Sequence, residues 1–209
     1  MSTNNREEYD KIANEIFFPI YEVLAKDALK ISGHTMGECL DVGSGGGHFG
    51  LSVAQQSEMN ITLMDLNENA LDIAAQRIKD WSLTGRAGTL ASDVRKIDCG
   101  DNRFNLIVSR GSIGFWGNRE DMKRAFAEIY RVLAPGGATY IGKGFGNAEL
   151  AAEIKVKMKL RNPDWPDCVR RATNEFGSKD YAQFCAELGI KADIIDDECG
   201  IWVIMKKQK

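Results

Sequence analysis

Proline and histidine are scarce in this chain of 209 residues: four prolines and two histidines, His34 and His48. So few histidines leave a histidine-based metal site without ligands, and no metal is expected. The five cysteines, Cys39, Cys99, Cys168, Cys185 and Cys199, are odd in number and scattered, with no C-x-x-C pair. That excludes a redox motif or zinc knuckle of the usual spacing and leaves idle or buried thiols. No apolar run is long enough to span a bilayer, and no charged-then-apolar signal segment opens the chain. No membrane association is expected, and the expected location is the cytoplasm. A basic excess is missing too: the formal charge is −3, so no global field draws the chain to nucleic acid. Internal repeats and low-complexity linkers are also lacking. Lys206, Lys207 and Lys209 read as a solvated end.

What is present is glycine, 21 residues of it, concentrated at one informative place. The stretch Cys39-Leu-Asp-Val-Gly-Ser-Gly-Gly-Gly-His-Phe-Gly50 reads as a short apolar strand, a glycine turn and the start of a helix. Glycine lets such a turn take positive φ and lets a ligand approach the backbone. The helix that follows offers unpaired N–H groups and a positive dipole end. Two frames fit. Gly45, Gly47 and Gly50 match G-x-G-x-x-G, the dinucleotide fingerprint. Asp41-x-Gly43-x-Gly45-x-Gly47 is an acid at a strand end followed by alternate glycines. Any α/β protein can also carry a glycine-rich turn without a ligand.

The rest of the chain alternates. A helical region over 6–31 is expected in two pieces meeting near Phe18 and Pro19, because proline lacks an N–H and disfavours helix in the preceding residue. Strands are expected at 38–42, 61–64, 87–91, 104–109 and 138–141, with Asp65 closing the second and Ser92-Asp93 following the third. Asn67 is a candidate cap for a helix through Ile78, and a helix is expected over 119–133. Ala134-Pro135-Gly136-Gly137 stops the latter. A helix over 147–160, an irregular piece over 162–177 and a helix over 178–188 capped by Ser178 follow. The strands 191–195 and 201–205 are close enough to form an antiparallel hairpin. The expected fold is α/β: a single doubly wound, mostly parallel seven-stranded sheet with a C-terminal antiparallel strand and helices on both faces. Its expected parts are an N-terminal helical cap (1–35), a ligand-binding core (36–145), a helical lid insertion (146–177) and the last helix with the hairpin (178–209).

Ligands in such sheets bind at the carboxyl ends of the strands, where Asp41, Asp65 and Asp93 all fall. This order resembles the class I S-adenosylmethionine-dependent methyltransferases of small-molecule type. Arg131-Val-Leu-Ala-Pro-Gly-Gly137 resembles the same family's connection into strand five, so the resemblance covers 36–145 by motif. It implies S-adenosyl-L-methionine as cofactor. Implied cofactor residues are Tyr9, Asp41, Gly43, Ser44, Gly45, His48, Asp65, Leu66, Ser92, Asp93, Val94, Ser109 and Arg110. Of these, Asp41 would lie near the methionine amino end, Asp65 would take the ribose hydroxyls and Asp93 the adenine amino group. Tyr9 opens a Tyr-Asp-Lys-Ile-Ala segment, where it either touches the cofactor or anchors an amphipathic helix.

The expected reaction is methyl transfer to a small-molecule acceptor by in-line displacement, with no residue singled out as a base. Arg110, Trp116 and Phe145 are the candidates for the acceptor pocket. Arg110 would meet an anionic group or the cofactor carboxylate; Phe115 and Trp116 either wall the pocket or belong to the core. A lid from the N-terminal helices and residues 145–177 is expected over the acceptor. An RNA methyltransferase is the competing reading, since Lys155, Lys157, Lys159, Arg161, Arg170 and Arg171 cluster there. An NAD-dependent oxidoreductase and a non-catalytic cofactor-binding protein also remain open. Monomer and homodimer are equally compatible with the sequence.

Overall fold

The computed structural model describes residues 3–209, with side chains from residue 8 onward. Seven strands among the described residues form one sheet: β1 (Met36–Val42), β2 (Glu58–Asp65), β3 (Ala87–Ala91), β4 (Phe104–Arg110), β5 (Leu133–Gly144), β6 (Ala192–Asp197) and β7 (Gly200–Met205). Their order is β3-β2-β1-β4-β5-β7-β6. The first five run parallel, and β7 runs antiparallel to both β5 and β6. The chain starts at the centre and winds outward twice, so the switch point lies between β1 and β4.

The central strands are apolar on both faces, and successive residues feed different cores. Cys39, Leu63, Leu106, Val108 and Tyr140 belong to one buried cluster, while Leu40, Met64, Ile107 and Ile141 belong to the other. The first face is covered by α2 (Phe18–Ser32), α3 (His48–Gln55) and α4 (Glu68–Asp80). The second is covered by α5 (Arg119–Val132) and α8 (Ser178–Glu187). Helices therefore lie on both faces, as the alternation predicts.

Local chemistry explains most element ends. Asn67 caps α4, its side chain accepting from the Ala70 N–H at 3.1 Å. Asn118 and Asp121 form a reciprocal capping box at α5. Asn147 caps α6 (Ala148–Arg161). Four expectations are corrected. The N-terminal pieces do meet at Phe17 and Phe18, where α2 begins, but the chain does not break there: α1 (Thr3–Ile12) passes through a π-helical turn over Ala13–Phe17 into α2, and Phe18 keeps helical angles. Pro19 sits in the first turn of α2, where a missing N–H costs little. Strand β5 begins at Leu133 rather than at Ala138, with a register irregularity around the Pro-Gly-Gly piece. Ser178 is not the cap of α8: Gly177 is, and the Ser178 hydroxyl bonds Asp196 instead. Lys207 is no solvated end, because its ammonium donates to the carbonyl of Tyr130 at 2.9 Å, at the end of α5. The irregular piece after α6 contains the short helix α7 (Asp167–Ala172).

Candidate active site

A cavity of about 530 Å³ opens at the carboxyl ends of β1, β2, β3 and β4, within the usual range for small-molecule sites. Asp41 sits at its base. The side chain is 1% exposed, and one carboxylate oxygen accepts from the Gly50 N–H at 2.8 Å. That N–H is one of the unpaired donors in the first turn of α3. Burial pushes the Asp41 carboxyl up to about 7; the Gly50 bond opposes this and the nearby Asp65 charge adds to it. An ionised Asp41 is thus an acid short of a cation.

The glycine turn bends over this carboxylate. Gly45 has φ +53° and open space where a Cβ would stand, so its cavity side is a bare backbone surface. Gly43 answers a different need. A Cβ there would lie 2.3 Å from Ser112, which packs against the turn. Asp65 holds the turn as well, accepting from the Gly45 N–H and the Asn67 N–H, both at 2.9 Å. The Ser44 hydroxyl is buried and has no partner among the described residues. A buried orphan hydroxyl beside a bare glycine backbone marks room for a polar guest.

Beyond β3, Ser92, Asp93 and Val94 line the cavity, with Leu66 at its rim. Asp93 is gripped by Arg95, whose guanidinium bonds both carboxylate oxygens and holds the carboxyl below the usual range. The roof comes from α1. Asp10 pairs with Arg77 at 3.0 Å, and Arg77 also bonds the Gly46 carbonyl, so α1 is tied to α4 and the glycine turn together. His48 stacks on Tyr21 at 5.2 Å and bonds the Asn14 side-chain oxygen at 2.9 Å. Burial, with help from Arg77, depresses the His48 ring to about 4 and keeps it neutral.

The far end of the cavity is aromatic. Tyr9, Phe115 and Trp116 line it, as does Arg110 at the end of β4. Trp116 is both wall and core: it is buried and packs edge-on against Phe126. Its indole N–H donates to the Ser112 hydroxyl at 3.1 Å, which itself bonds the Val42 carbonyl at 3.0 Å and meets the Ser109 hydroxyl at 2.7 Å. Ser109 itself is fully buried and does not line the cavity. Phe145 does not line it either; its ring packs on Phe17 and Trp165 behind Arg110.

Residues 145–177 likewise contribute nothing to the lining, because α6 is drawn onto the N-terminal helices by Arg161, which bonds Glu8 and Glu15. Asp10, Asn14, Tyr21, Arg77 and Ser112 escaped sequence reasoning. Only the Ser109-Ser112-Trp116 spacing carried a local signal, three polar groups at successive intervals of three and four residues. Among the described residues, no cluster fit for a metal ion occurs and no helix is long and apolar enough to cross a membrane.

Fold and site together define a class I methyltransferase architecture. Residues 39–137 match the model of the methyltransferase domain family. The chain is 37% identical to a solved structure from Methanococcus maripaludis, provisionally classed as an S-adenosyl-L-methionine-dependent methyltransferase, with 99% of this chain and 93% of that one covered and a TM-score of 0.91. It therefore belongs to the S-adenosylmethionine-dependent methyltransferases. Two curated relatives match over shorter stretches. A ubiquinone/menaquinone biosynthesis C-methyltransferase of Psychromonas ingrahamii is 26% identical over 62% of this chain and 52% of its own length. Phosphoethanolamine N-methyltransferase 2 of Caenorhabditis elegans is 32% identical over 54% and 25%. The chain thus spans about half of the first relative and a quarter of the second.

Proposed function

We propose that this protein moves the methyl group of S-adenosylmethionine to a small-molecule acceptor by in-line displacement. The observation that carries the reading is a single cavity with two unlike ends. One end presents Asp41, Asp65 and Asp93 at successive strand ends around a bare glycine backbone, with the orphan Ser44 hydroxyl beside it. These groups suit an ammonium, a ribose and an adenine amino group in that order. The other end presents Tyr9, Phe115 and Trp116, which suit a flat or apolar acceptor body.

The cofactor supplies a methyl group already activated on a sulfonium. What remains for the protein is to align the acceptor and to exclude water. The α1 roof, tied down by Asp10 and Arg77, serves exclusion. The Ser112 hydroxyl fixes the Trp116 wall.

A small acceptor is favoured over RNA by the state of the basic residues outside the cavity. Of the six clustered basic residues, Lys157, Arg161, Arg170 and Arg171 are each paired with an acid and, among the described residues, only Lys155 and Lys159 are not, which weakens the positive field of the segment. The two curated relatives carry names of enzymes for quinone and phosphoethanolamine substrates, both small molecules. Incubation of the protein with deuteromethyl S-adenosylmethionine and a metabolite extract, read by mass spectrometry, tests this. A labelled small product is expected. Label confined to RNA, or stabilisation by NAD with none by S-adenosylhomocysteine, would overturn the proposal.

A further inference from the structure

We infer that Arg110 selects a methyl acceptor carrying an anionic head, a carboxylate or phosphate, on an apolar body. This rests on the methyltransferase reading above. Five acidic side chains line the cavity, and all are engaged: Glu8 with Arg161, Asp10 with Arg77, Asp93 with Arg95, Asp41 with the Gly50 N–H, and Asp65 with two turn N–H groups. Arg110 pairs with none of them. Its Nε donates to the Gly144 carbonyl at 3.3 Å and its Nη1 reaches the Tyr9 hydroxyl at 3.5 Å. Its Nη2 makes no hydrogen bond to a carboxylate or carbonyl among the described residues, and its other polar neighbour is the Tyr21 hydroxyl, near enough for the guanidinium to oppose the upward push of burial on that phenol.

The group is nevertheless held in place. Its guanidinium carbon lies 4.2 Å from the Phe17 ring centroid, 5.6 Å from Phe145 and 6.0 Å from Tyr21. Phe17 closes the π-helical turn, so that local widening of the helix presents the ring on which the arginine stacks. A guanidinium caged by three rings has already lost its side-chain freedom, and its free N–H edge suits bidentate capture of an oxyanion.

Position assigns the anion to the acceptor. Asp41 stands level with Val108 in the β1–β4 register, so Arg110 lies two residues further out, about 6–7 Å beyond it along the strand. It also sits on the opposite side of β1 from β2 and β3, which carry Asp65 and the turn to Asp93. Phe115 and Trp116 follow it within six residues and line the same end. A cationic acceptor would meet an unneutralised positive charge here.

The cofactor's own carboxylate has the same chemistry, so the test separates the two. Wild-type protein is first saturated with S-adenosylhomocysteine, then titrated with phenylacetate, phenyl phosphate and phenylacetamide and followed by tryptophan fluorescence. At least one anion is expected to bind about tenfold or more tightly than the amide. Arg110→Met, which keeps the packing on Phe17, should lose that preference while holding S-adenosylhomocysteine within about threefold of wild type. Arg110→Lys should retain part of the preference, since it keeps the charge without the fork. Absence of any anion preference in wild type, including no binding of the three probes, overturns the inference. So does a tenfold loss of S-adenosylhomocysteine affinity in Arg110→Met, which would give the arginine to the cofactor. Failure of wild type to bind S-adenosylhomocysteine at all would instead overturn the methyltransferase reading on which the inference rests.

Discussion

Under β1, β2 and β3 the cavity is lined by acids and bare backbone; beyond β4 it is lined by aromatic rings and one arginine. The first end is assembled from short local segments, each a strand end and the turn after it. The second is assembled from α1, the π-helical turn, the end of β4 and the 3₁₀ turn over Ile113–Phe115, and the Tyr9–Arg110 contact within it already spans 101 residues. Local assembly suits a guest that never changes. Assembly from distant pieces lets the acceptor end vary while the sheet stays the same.

The sharpest way to break this division is Asp65→Ala. Its carboxylate holds the Gly45 and Asn67 N–H groups, so its removal loosens the turn as well as the expected ribose contact. Hydrogen bonds to a charged group are worth about 1.5–3 kcal/mol each. A loss of S-adenosylhomocysteine affinity of about a hundredfold is expected by calorimetry, with the phenyl-probe preference at the other end retained. Unchanged cofactor affinity would dissolve the division.

Next in size is Ser112→Ala, which acts where the two ends join. It leaves the Trp116 indole N–H, the Ser109 hydroxyl and the Val42 carbonyl without their shared partner. A buried orphan costs about 1–3 kcal/mol. A lower melting temperature and weaker acceptor binding are expected, with cofactor affinity little changed. Ser112→Thr is no rescue, because Ser112 already packs where a Gly43 Cβ would stand.

The acids at the cofactor end make a pH prediction with a definite sign. In the folded protein Asp41 titrates at about 7, against an ordinary 3.8. Between those values the folded chain keeps a proton that the unfolded chain has lost. Asp41 therefore stabilises the ligand-free protein below about pH 4, and that contribution is lost as pH rises through 7. His48 works the other way. Its folded value of about 4 lies below the ordinary 6.5, so its contribution is present above that range and lost as pH falls from 6.5 to 4. A bound ammonium favours ionised Asp41, so S-adenosylhomocysteine affinity should rise about tenfold per pH unit up to 7 and then level. Asp41→Asn can still accept from Gly50, so it should fold, flatten this profile and remove the Asp41 slope from the melting curve. An unchanged affinity profile in the variant would remove Asp41 from the ammonium role.

How much of this was legible beforehand follows the same division. Strand β3 falls on the expected residues, and Asp65 closes β2 where an apolar run meets its first acid. Both are local signals. The continuity of α1 into α2 was hidden because a π-helical turn absorbs what proline would otherwise break. Arg77 carries no local signal in the sequence. Its partner Asp10 lies 67 positions away and brings in a helix whose docking no periodicity records. Phe145 was placed at the acceptor because it follows β5, but the strand runs on to Gly144 and its ring falls behind Arg110 instead.

The smallest expected effect concerns the basic residues of α7, and it separates a small acceptor from RNA. Arg170 and Arg171 are exposed and paired with Asp167 and Asp164 within their own segment. Exposed pairs of this kind contribute little to stability. The segment also lies outside the cavity lining. Arg170→Glu combined with Arg171→Glu should therefore leave melting temperature, cofactor affinity and methyl transfer to the small acceptor changed by less than about twofold. An RNA substrate demands the opposite. Each lost phosphate contact would lower affinity and flatten its salt dependence by about one unit of slope, and reversing two charges would do so twice over. Titration of wild type and variant against bulk RNA at two salt concentrations reads this directly. Weak and nearly equal binding is expected. A steep salt dependence in wild type that the double variant flattens would show that α7 faces a polyanion, and the acceptor end would then extend past Trp116 onto the outer surface.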